Sequence, residues 1–359
     1  MRSLSPWPEE FGLGGIRRLL AALGEPQRAY PSVHVVGTNG KTSTTLLTAA
    51  LLRAAALRVG AYVSPHVRDW AERIQVDGAD ADLDRALARV RPYAAGATQF
   101  EVLTAAALAE FAERGVDAAV VEAGLGGRHD ATNVLDSPVV VLTNVALDHT
   151  DVLGETREAI AAEKLAVVAP GATVVLGEPE WEDAARAAGA GRVELPGGSN
   201  LALAVAAAEA HLGRPVDPHA VDGLVVPGRL ERRGDRPLEL WDGAHNLAGI
   251  GYLLPRLPRG RYVVVASILA DKAAEEMLRA LTAVADVLVA TSSSNARALA
   301  ADELARLARP HFDRVEALAD PLEALARARG LAGPGGMVLV TGSLYLLADL
   351  YNPYHGEGS

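Results

Sequence analysis

The most chemically pointed feature of the sequence is a lysine set between a glycine and two hydroxyl residues. Val33-His34-Val35-Val36-Gly37-Thr38-Asn39-Gly40-Lys41-Thr42-Ser43 runs from a short apolar strand through a Gly-rich turn into a helix expected over 44–56. Glycines let the backbone amides of Thr38, Asn39 and Gly40 curl around a phosphate. The helix N-terminus adds positive potential, and Lys41 supplies a full charge. The Thr42 and Ser43 hydroxyls fall where a phosphate-bound Mg²⁺ would sit. The ordinary phosphate-loop spacing asks for Gly at position 35, which is Val here, so the loop is a compressed form. A strand followed by a Gly/Asn turn occurs throughout α/β proteins; the Gly-Lys-Thr-Ser continuation favours nucleotide phosphate.

Other residues stand where expected strands end. Ser64 closes one, Glu122 ends the run 117–122, and His149 follows the run 139–146. The C-terminal ends of parallel strands line one edge of a sheet, where ligands bind. A hydroxyl, a carboxylate and an imidazole there can complete an oxygen-rich Mg²⁺ shell shared with phosphate and water. Taken singly, such a Glu is more often a cap or ion-pair partner, and such a His more often a hydrogen-bonded structural residue. Lys164, on a helix expected over 157–168, reads on its own as a solvated lysine paired with Glu163. Asp242, in Asp242-Gly243-Ala244-His245-Asn246, stands between an expected strand and a helix, where an N-cap is an equal reading. Thr98-Gln99-Phe100-Glu101 opens a helix expected over 101–113. There Phe100 suits core packing, and Glu101 suits the positive end of the helix dipole.

These residues need a scaffold. Short β-branched runs (33–36, 62–63, 118–122, 139–143, 174–176, 238–241, 262–266, 287–290, 337–341) alternate with Ala-rich amphipathic stretches. Strand–turn–helix repetition predicts parallel sheets covered by helices, an α/β fold. The best boundary is Val225-Val226-Pro227-Gly228-Arg229, giving domains over 1–225 and 237–359 joined by a linker over 226–236. A chain of 359 residues, half of them hydrophobic, is comfortable for two domains. The net charge of -11 argues against nucleic acid or an anionic membrane surface as partner. The absence of cysteine excludes disulfides, thiolate metal sites and cysteine nucleophiles. The opening residues carry no apolar leader, so a cytoplasmic location is expected, and the polar tail 352–359 is expected to fray.

The compressed loop resembles that of the Mur ligase superfamily, and more narrowly that of its folylpolyglutamate synthase/dihydrofolate synthase branch. The likeness runs along nearly the whole chain. It includes Leu23-Gly24-Glu25-Pro26-Gln27, Ser64-Pro65-His66-Val67 with Glu72-Arg73-Ile74, and Thr98-Gln99-Phe100-Glu101. Glu122-Ala123-Gly124-Leu125-Gly126-Gly127-Arg128 with Asp130-Ala131-Thr132-Asn133, and Asp148-His149-Thr150 leading to Glu163-Lys164, continue it. Pro227-Gly228-Arg229, the Asp242–Asn246 segment and Thr341-Gly342-Ser343 complete it.

The resemblance implies a Mur-ligase-like fold: an N-terminal phosphate-loop domain with a mostly parallel sheet, and a smaller Rossmann-like C-terminal domain. It implies ATP and Mg²⁺ as cofactors, with Ser43, Ser64, Glu122 and His149 at the metal and Lys164 carbamylated. Asn200, Arg229, Asp242, His245 and Asn246 would join Thr38–Ser43 at the nucleotide, Arg229 reaching phosphate when the domains close. Thr98–Glu101 and His129 would flank a pterin. The implied reaction is attack of a substrate carboxylate on the γ-phosphorus, then displacement of phosphate by the amine of L-glutamate. Dihydropteroate or a reduced folate would be the acceptor, and the enzyme a monomer. No general base is obvious; His149 and His245 are the candidates. Asp271-Lys272 resembles a Lys-Asp loop, but Ala273 replaces the usual acidic residue, so it stays outside the site.

Three departures bear on the acceptor rather than on the reaction. His129 stands where the branch usually has an apolar residue, and Thr42 where it usually has Gly. Only 35 residues separate Lys164 from Asn200, a stretch usually much longer. The alternatives are a Mur-type ligase with a non-folate acceptor and a non-catalytic nucleotide-binding paralogue.

Overall fold

The computed structural model describes residues 4–5 and 12–352. Most of the opening segment read for a leader, and all of the tail beyond Asn352, lie outside those residues. The chain forms two compact units, Met1–Leu224 and Val225–Ser359.

The first unit is built on an eight-stranded sheet. Its strands are β1 (Ser32–Val36), β2 (Val59–Tyr62), β3 (Ile74–Val76), β4 (Ala79–Asp80), β5 (Ala118–Glu122), β6 (Val139–Leu142), β7 (Thr173–Leu176) and β8 (Arg192–Glu194). They lie in the order β4-β3-β2-β5-β1-β6-β7-β8. All neighbours are parallel except β2/β3 and β3/β4. Strand β1 is therefore central, with β5 on one side and β6 on the other. Register sets Val35 beside Glu122 and Val36 beside Leu142, so these strands finish at one level. The segments leaving β1, β5 and β6 must therefore meet above that edge.

Both faces of this sheet are buried, which explains its unbroken apolar strands. On one face Val33 and Val35 pack with Leu51 and Leu52 of the helix Lys41–Ala54 and with Leu203 of the helix Asn200–Leu212. On the other, the helix Gln99–Glu113 lies between β2 and the helices Gly14–Ala22 and Leu83–Val90. Covered on several sides, it carries apolar residues almost all round instead of one stripe. Glu110, fully buried on that helix, is paired with Arg85 and Arg89.

The second unit holds β9 (Glu231–Asp235), β10 (Leu238–Trp241), β11 (Tyr262–Ala266), β12 (Ala285–Ala290), β13 (Arg314–Ala317) and β14 (Met337–Thr341). Their order is β13-β12-β11-β14-β10-β9, parallel except for β9. The strand order reverses between β11 and β14, as in doubly wound nucleotide folds.

Several elements differ from the sequence expectation. Residues 231–235, inside the segment read as a linker, form β9, an edge strand whose Glu-Arg-Arg-Gly-Asp sequence looks like a loop. An edge strand has one partner and a wet side, so charge is tolerated there. The same reason hid β8 and β13, while β3 and β4 were too short to show a period. The run read at 62–63 is the end of β2, which begins at Val59. The helix over 157–168 stops at Leu165.

Candidate active site

The phosphate loop leaves β1 at Gly37 and is shaped by the segment that leaves β6. Thr38 N–H donates to Asn144 C=O at 2.9 Å, and Asn39 N–H to Asn144 Oδ1 at 2.9 Å. Thr143 Oγ1 donates to Asn39 C=O at 2.7 Å, and Ala146 N–H to Thr38 Oγ1 at 3.0 Å. The Thr38 hydroxyl, expected at the nucleotide, is thus used in bracing the loop. Gly40 turns the chain at φ 83, and a Cβ there would lie 2.5 Å from Asn200 Oδ1. Both facts demand glycine. Asn200, the first residue of its helix behind the cap Ser199, is thereby brought against the loop. Lys41 opens the helix that follows, with Nζ donating to Thr38 C=O at 3.2 Å.

Glu122, at the end of β5 and 1% exposed, draws two predicted site residues together. Its Oε1 accepts from Thr42 Oγ1 at 3.0 Å, and its Oε2 from Ser64 N–H at 3.1 Å. Thr42 is therefore the loop hydroxyl joined to the carboxylate; Ser43 is buried at its side of the helix. His149 lies on the same edge, beyond β6, in a left-handed conformation at φ 51, with its N–H on Asp148 Oδ1 at 3.0 Å. A non-Gly residue held there is uncommon, and His is among the types that adopt it most readily. Among the described residues no three His, Cys, Asp or Glu side chains form a group able to hold a metal. One carboxylate, two hydroxyls and an imidazole fit a cation that takes much of its shell from water and phosphate, as Mg²⁺ does.

Lys164 is not a solvated lysine. It is 3% exposed, and its Nζ donates to Gly37 C=O at 2.9 Å, directly under the phosphate loop. Burial, and then the charge of Lys41, push its pKa down to about 7. A large part of this amine is therefore neutral and nucleophilic near neutral pH.

On the far side of Glu122, Gly124 approaches the Phe100 ring so closely that a Cβ would lie 2.7 Å from it, and Phe100 in turn packs on Tyr62 at 6.0 Å. Thr98 and Glu101, expected at a pterin, form a reciprocal cap. Thr98 N–H donates to Glu101 Oε2 at 2.8 Å, and Glu101 N–H to Thr98 Oγ1 at 3.2 Å. Such a box satisfies two orphan amides of the helix. Thr98→Ala is expected to lower stability by about 1 kcal/mol in thermal unfolding, measurable as a lower midpoint. Gln99 follows with its N–H on Ser5 C=O at 2.9 Å. His129 is exposed, whereas Asp130 beside it is buried. Asp130, absent from the candidate site read in the sequence, accepts from Leu125 N–H at 2.8 Å and from Thr132 N–H at 3.0 Å. Burial pushes its carboxyl upward, against these bonds. Thr132 Oγ1 continues to His34 Nε2 at 2.8 Å, and burial drives the His34 imidazole down to about 4. Asp130 thus fixes the shape of the 124–132 loop.

In the second unit Asp242 follows β10. Its Oδ2 accepts from Leu230 N–H at 2.8 Å and its Oδ1 from Ala244 N–H at 2.9 Å, so it ties two turns rather than capping a helix. Burial raises its pKa and nearby Arg229 opposes the rise. The cap of the helix Leu247–Leu253 is Asn246, whose Oδ1 accepts from Gly249 N–H at 2.8 Å. The His245 Nδ1 lies 2.9 Å from Gly243 C=O, and Arg229 Nη1 donates to Gly228 C=O at 3.2 Å. Arg229, Asp242, His245 and Asn246 are therefore gathered on one set of turns.

Comparison with known proteins gives a consistent picture. Residues 35–176 match the Mur ligase middle domain and residues 228–344 the Mur ligase glutamate ligase domain. A dihydrofolate synthase/folylpolyglutamate synthase of Mycobacterium tuberculosis is 35% identical over 86% of this chain and 81% of its own length. That of Bacillus subtilis is 30% identical over 94% of each. Among solved structures, M. tuberculosis folylpolyglutamate synthase complexed with ADP superposes with a TM-score of 0.88 at 32% identity, covering 99% of this chain and 97% of that one. Escherichia coli FolC in complex with DHPP and ADP gives 0.86 at 28%, covering 97% and 94%. A bifunctional folylpolyglutamate synthase/dihydrofolate synthase with Mn, AMPPNP and L-glutamate bound gives 0.82 at 29%, covering 97% and 95%.

Proposed function

Since the chain belongs to the folylpolyglutamate synthase/dihydrofolate synthase family of Mur ligases, we propose that it couples ATP cleavage to amide formation between L-glutamate and the carboxylate of a pteroate or reduced folate. The observation that carries this reading is Lys164, buried under the phosphate loop with its Nζ on Gly37 C=O and its pKa pushed down by burial, together with the edge that offers Glu122, Thr42 and Ser64.

The loop amides and Lys41 bind the ATP phosphates and gather negative charge as the γ-phosphoryl group transfers. Mg²⁺, when bound, supplies electrostatic stabilisation of that charge; Glu122, Ser64, His149 and a loop hydroxyl are the residues to hold it. The acceptor carboxylate oxygen bonds to the γ-phosphorus, ADP leaves, and an acyl phosphate results. The neutral glutamate amine then bonds to the acyl carbon, the C–O bond to phosphate breaks, and inorganic phosphate departs with the proton the nitrogen gives up. The chain contributes mainly position and charge. Phe100, packed on Tyr62 and reached by the 124–132 loop, supports an aromatic wall for the flat pterin, with Thr98 and Glu101 acting through the cap that sets the start of its helix. Gln99 and His129 join that proposal as polar neighbours. Asn200 at the loop, and Arg229, Asp242, His245 and Asn246 in the second unit, are proposed nucleotide contacts.

The buried Lys164 amine, its pKa lowered by burial and by the charge of Lys41, supports carbamylation. Its nitrogen lone pair bonds to the carbon of CO₂, one C=O pair moves onto oxygen, and an N–H proton leaves to water. The product is an anion beside Lys41, where a second cation is disfavoured. Action as a cytoplasmic monomer belongs to the same reading. ATP supplies the phosphoryl group, and the first unit assembles its loop, Glu122 and Lys164 from one chain; light scattering tests the monomer.

Labelled glutamate offered with ATP and either dihydropteroate or tetrahydrofolate tests the reaction. Ligation to dihydropteroate is the expected result, with extension of tetrahydrofolate as a second activity, and ADP production over many turnovers should require both acceptor and glutamate. If neither pterin is consumed while another carboxylate is, the acceptor assignment fails and a Mur-type ligase of different substrate stands.

A further inference from the structure

The segment leaving β6 must bend from the sheet, brace the phosphate loop and deliver His149, and among the described residues its backbone bonding alongside β1 runs only through Thr143 N–H on Val36 C=O at 3.0 Å and Thr38 N–H on Asn144 C=O at 2.9 Å. Val145 is held instead by side chains on both of its backbone groups. Its N–H donates to Glu178 Oε2 at 2.9 Å, and its C=O accepts from Arg157 Nε at 2.9 Å. Those two side chains are themselves paired, Arg157 Nη2 to Glu178 Oε2 at 3.1 Å. Trp181 closes the arrangement, its indole N–H donating to the same oxygen at 2.8 Å while its ring lies 5.2 Å from the Arg157 guanidinium carbon.

Each end of this clamp touches a different part of the site. Glu178 stands two residues beyond the end of β7, and Arg157 is the first residue of the helix that carries Lys164. Next to Val145, Ala146 donates to Thr38 of the phosphate loop. His149, at φ 51, opens the short helix Thr150–Leu153, which holds its C=O, so the approach of the chain from Val145 sets where its ring goes. Charge-assisted bonds to one residue's N–H and C=O fix it more firmly than a solvated loop could.

We propose that the Glu178–Arg157 pair is a positioning device that holds residues 143–149 against the phosphate loop and the Lys164 helix, setting the geometry with which His149 faces the divalent cation. The proposal rests on His149 being a metal ligand. It assigns neither Glu178 nor Arg157 a contact with substrate.

The test uses the full-length chain and four variants: Glu178→Gln, Glu178→Ala, His149→Ala and the Glu178→Ala/His149→Ala double variant. Two readouts are taken: the Mg²⁺ concentration for half-maximal ligation, and amide exchange by mass spectrometry. Glu178→Gln keeps an acceptor for Val145 but loses the Glu178 charge, leaving Arg157 its other partner, Glu180 Oε1 at 2.6 Å, and guards against misfolding of Glu178→Ala. Glu178→Ala is expected to raise the Mg²⁺ requirement about tenfold with the KM for pterin unchanged, Glu178→Gln less, and the double variant no more than His149→Ala. Exchange should quicken over 143–149 and 157–165 in both Glu178 variants and stay unchanged over 262–266 in the second unit. Unaltered exchange over 143–149, or a Mg²⁺ requirement that moves with His149→Ala and not with Glu178→Ala, overturns the proposal. Quickened exchange with a Mg²⁺ requirement insensitive to His149→Ala instead overturns the metal reading of His149, leaving the clamp as a brace of the phosphate loop alone.

Discussion

Lys41→Ala is expected to lower kcat/KM for glutamate ligation by about a thousandfold or more, while the protein stays folded. The size follows from the place of the charge. Lys41 opens the helix after Gly40, where the developing charge on the transferred phosphoryl group is met in a partly water-excluded site, and loss of one such preorganised donor typically costs ~10²–10³ in rate. A cation acting on a phosphate chain has more to lose than a neutral donor. The small effect on folding follows from Lys41's local attachment: its Nζ bonds the carbonyl of Thr38, three residues back, and the side chain fills no core. Thermal unfolding should move by less than about 1 kcal/mol. A variant that turns over normally would remove the phosphate loop from the mechanism. One that unfolds would make Lys41 structural.

Replacing Lys164 should separate activity from stability in the opposite sense. Lys164→Ala is expected to lose nearly all ligation, with partial recovery on adding acetate, which can place an anion where the carbamate stood. Lys164→Met, which fills the same space without a charge, should also be inactive yet more stable than the parent in bicarbonate-free buffer. Its advantage depends on pH. The folded amine titrates near 7 and the unfolded one near 10.4, so between these values the unfolded chain binds the additional proton and parent stability rises with pH. Below pH 7 both states are protonated and the cost of the buried charge is fully present. The Met variant should therefore lead most at pH 6 to 7 and lose that lead as pH approaches 10. Bicarbonate activation of the parent should likewise weaken as pH falls through 7, because only the neutral amine takes up CO₂. A solvent-like pKa for this lysine, or Lys164→Met with parental activity, would end the carbamate assignment.

How much of this was legible in the sequence depends on the distance over which each feature is built. The phosphate loop is contiguous, so its glycines, lysine and hydroxyls could be read in one glance. The central strands β1, β5, β6, β11 and β14 are buried on both faces and stand out as apolar runs. Edge strands do not, and β9 hid in a run of charges. Lys164 shares a helix turn with Glu163, so local pattern suggested a surface pair; only the sheet shows that its side chain ends at Gly37, 127 positions away in sequence. The Thr98–Glu101 spacing was readable as a capping box, and the resemblance drew attention to a pterin instead. Asp130 and Glu178 were out of reach, since a buried carboxylate that holds loop amides looks like any other acid until its partners are known.

Lys164 and Asn200 both end at the phosphate loop, one on the Gly37 carbonyl and the other against Gly40. The residues between them, which include the sheet strands β7 and β8, therefore form an excursion whose two feet are pinned at neighbouring points of the same turn. Extending a pinned excursion costs only the slowly growing entropy of closure, about 0.6 kcal/mol for each doubling of a flexible loop. The Leu195-Pro196-Gly197-Gly198 turn, exposed and beyond the last strand of the sheet, is accordingly a natural port for grafting. A reporter domain or affinity tag spliced there would be carried by the enzyme with its feet, and the chemistry beneath them, left in register.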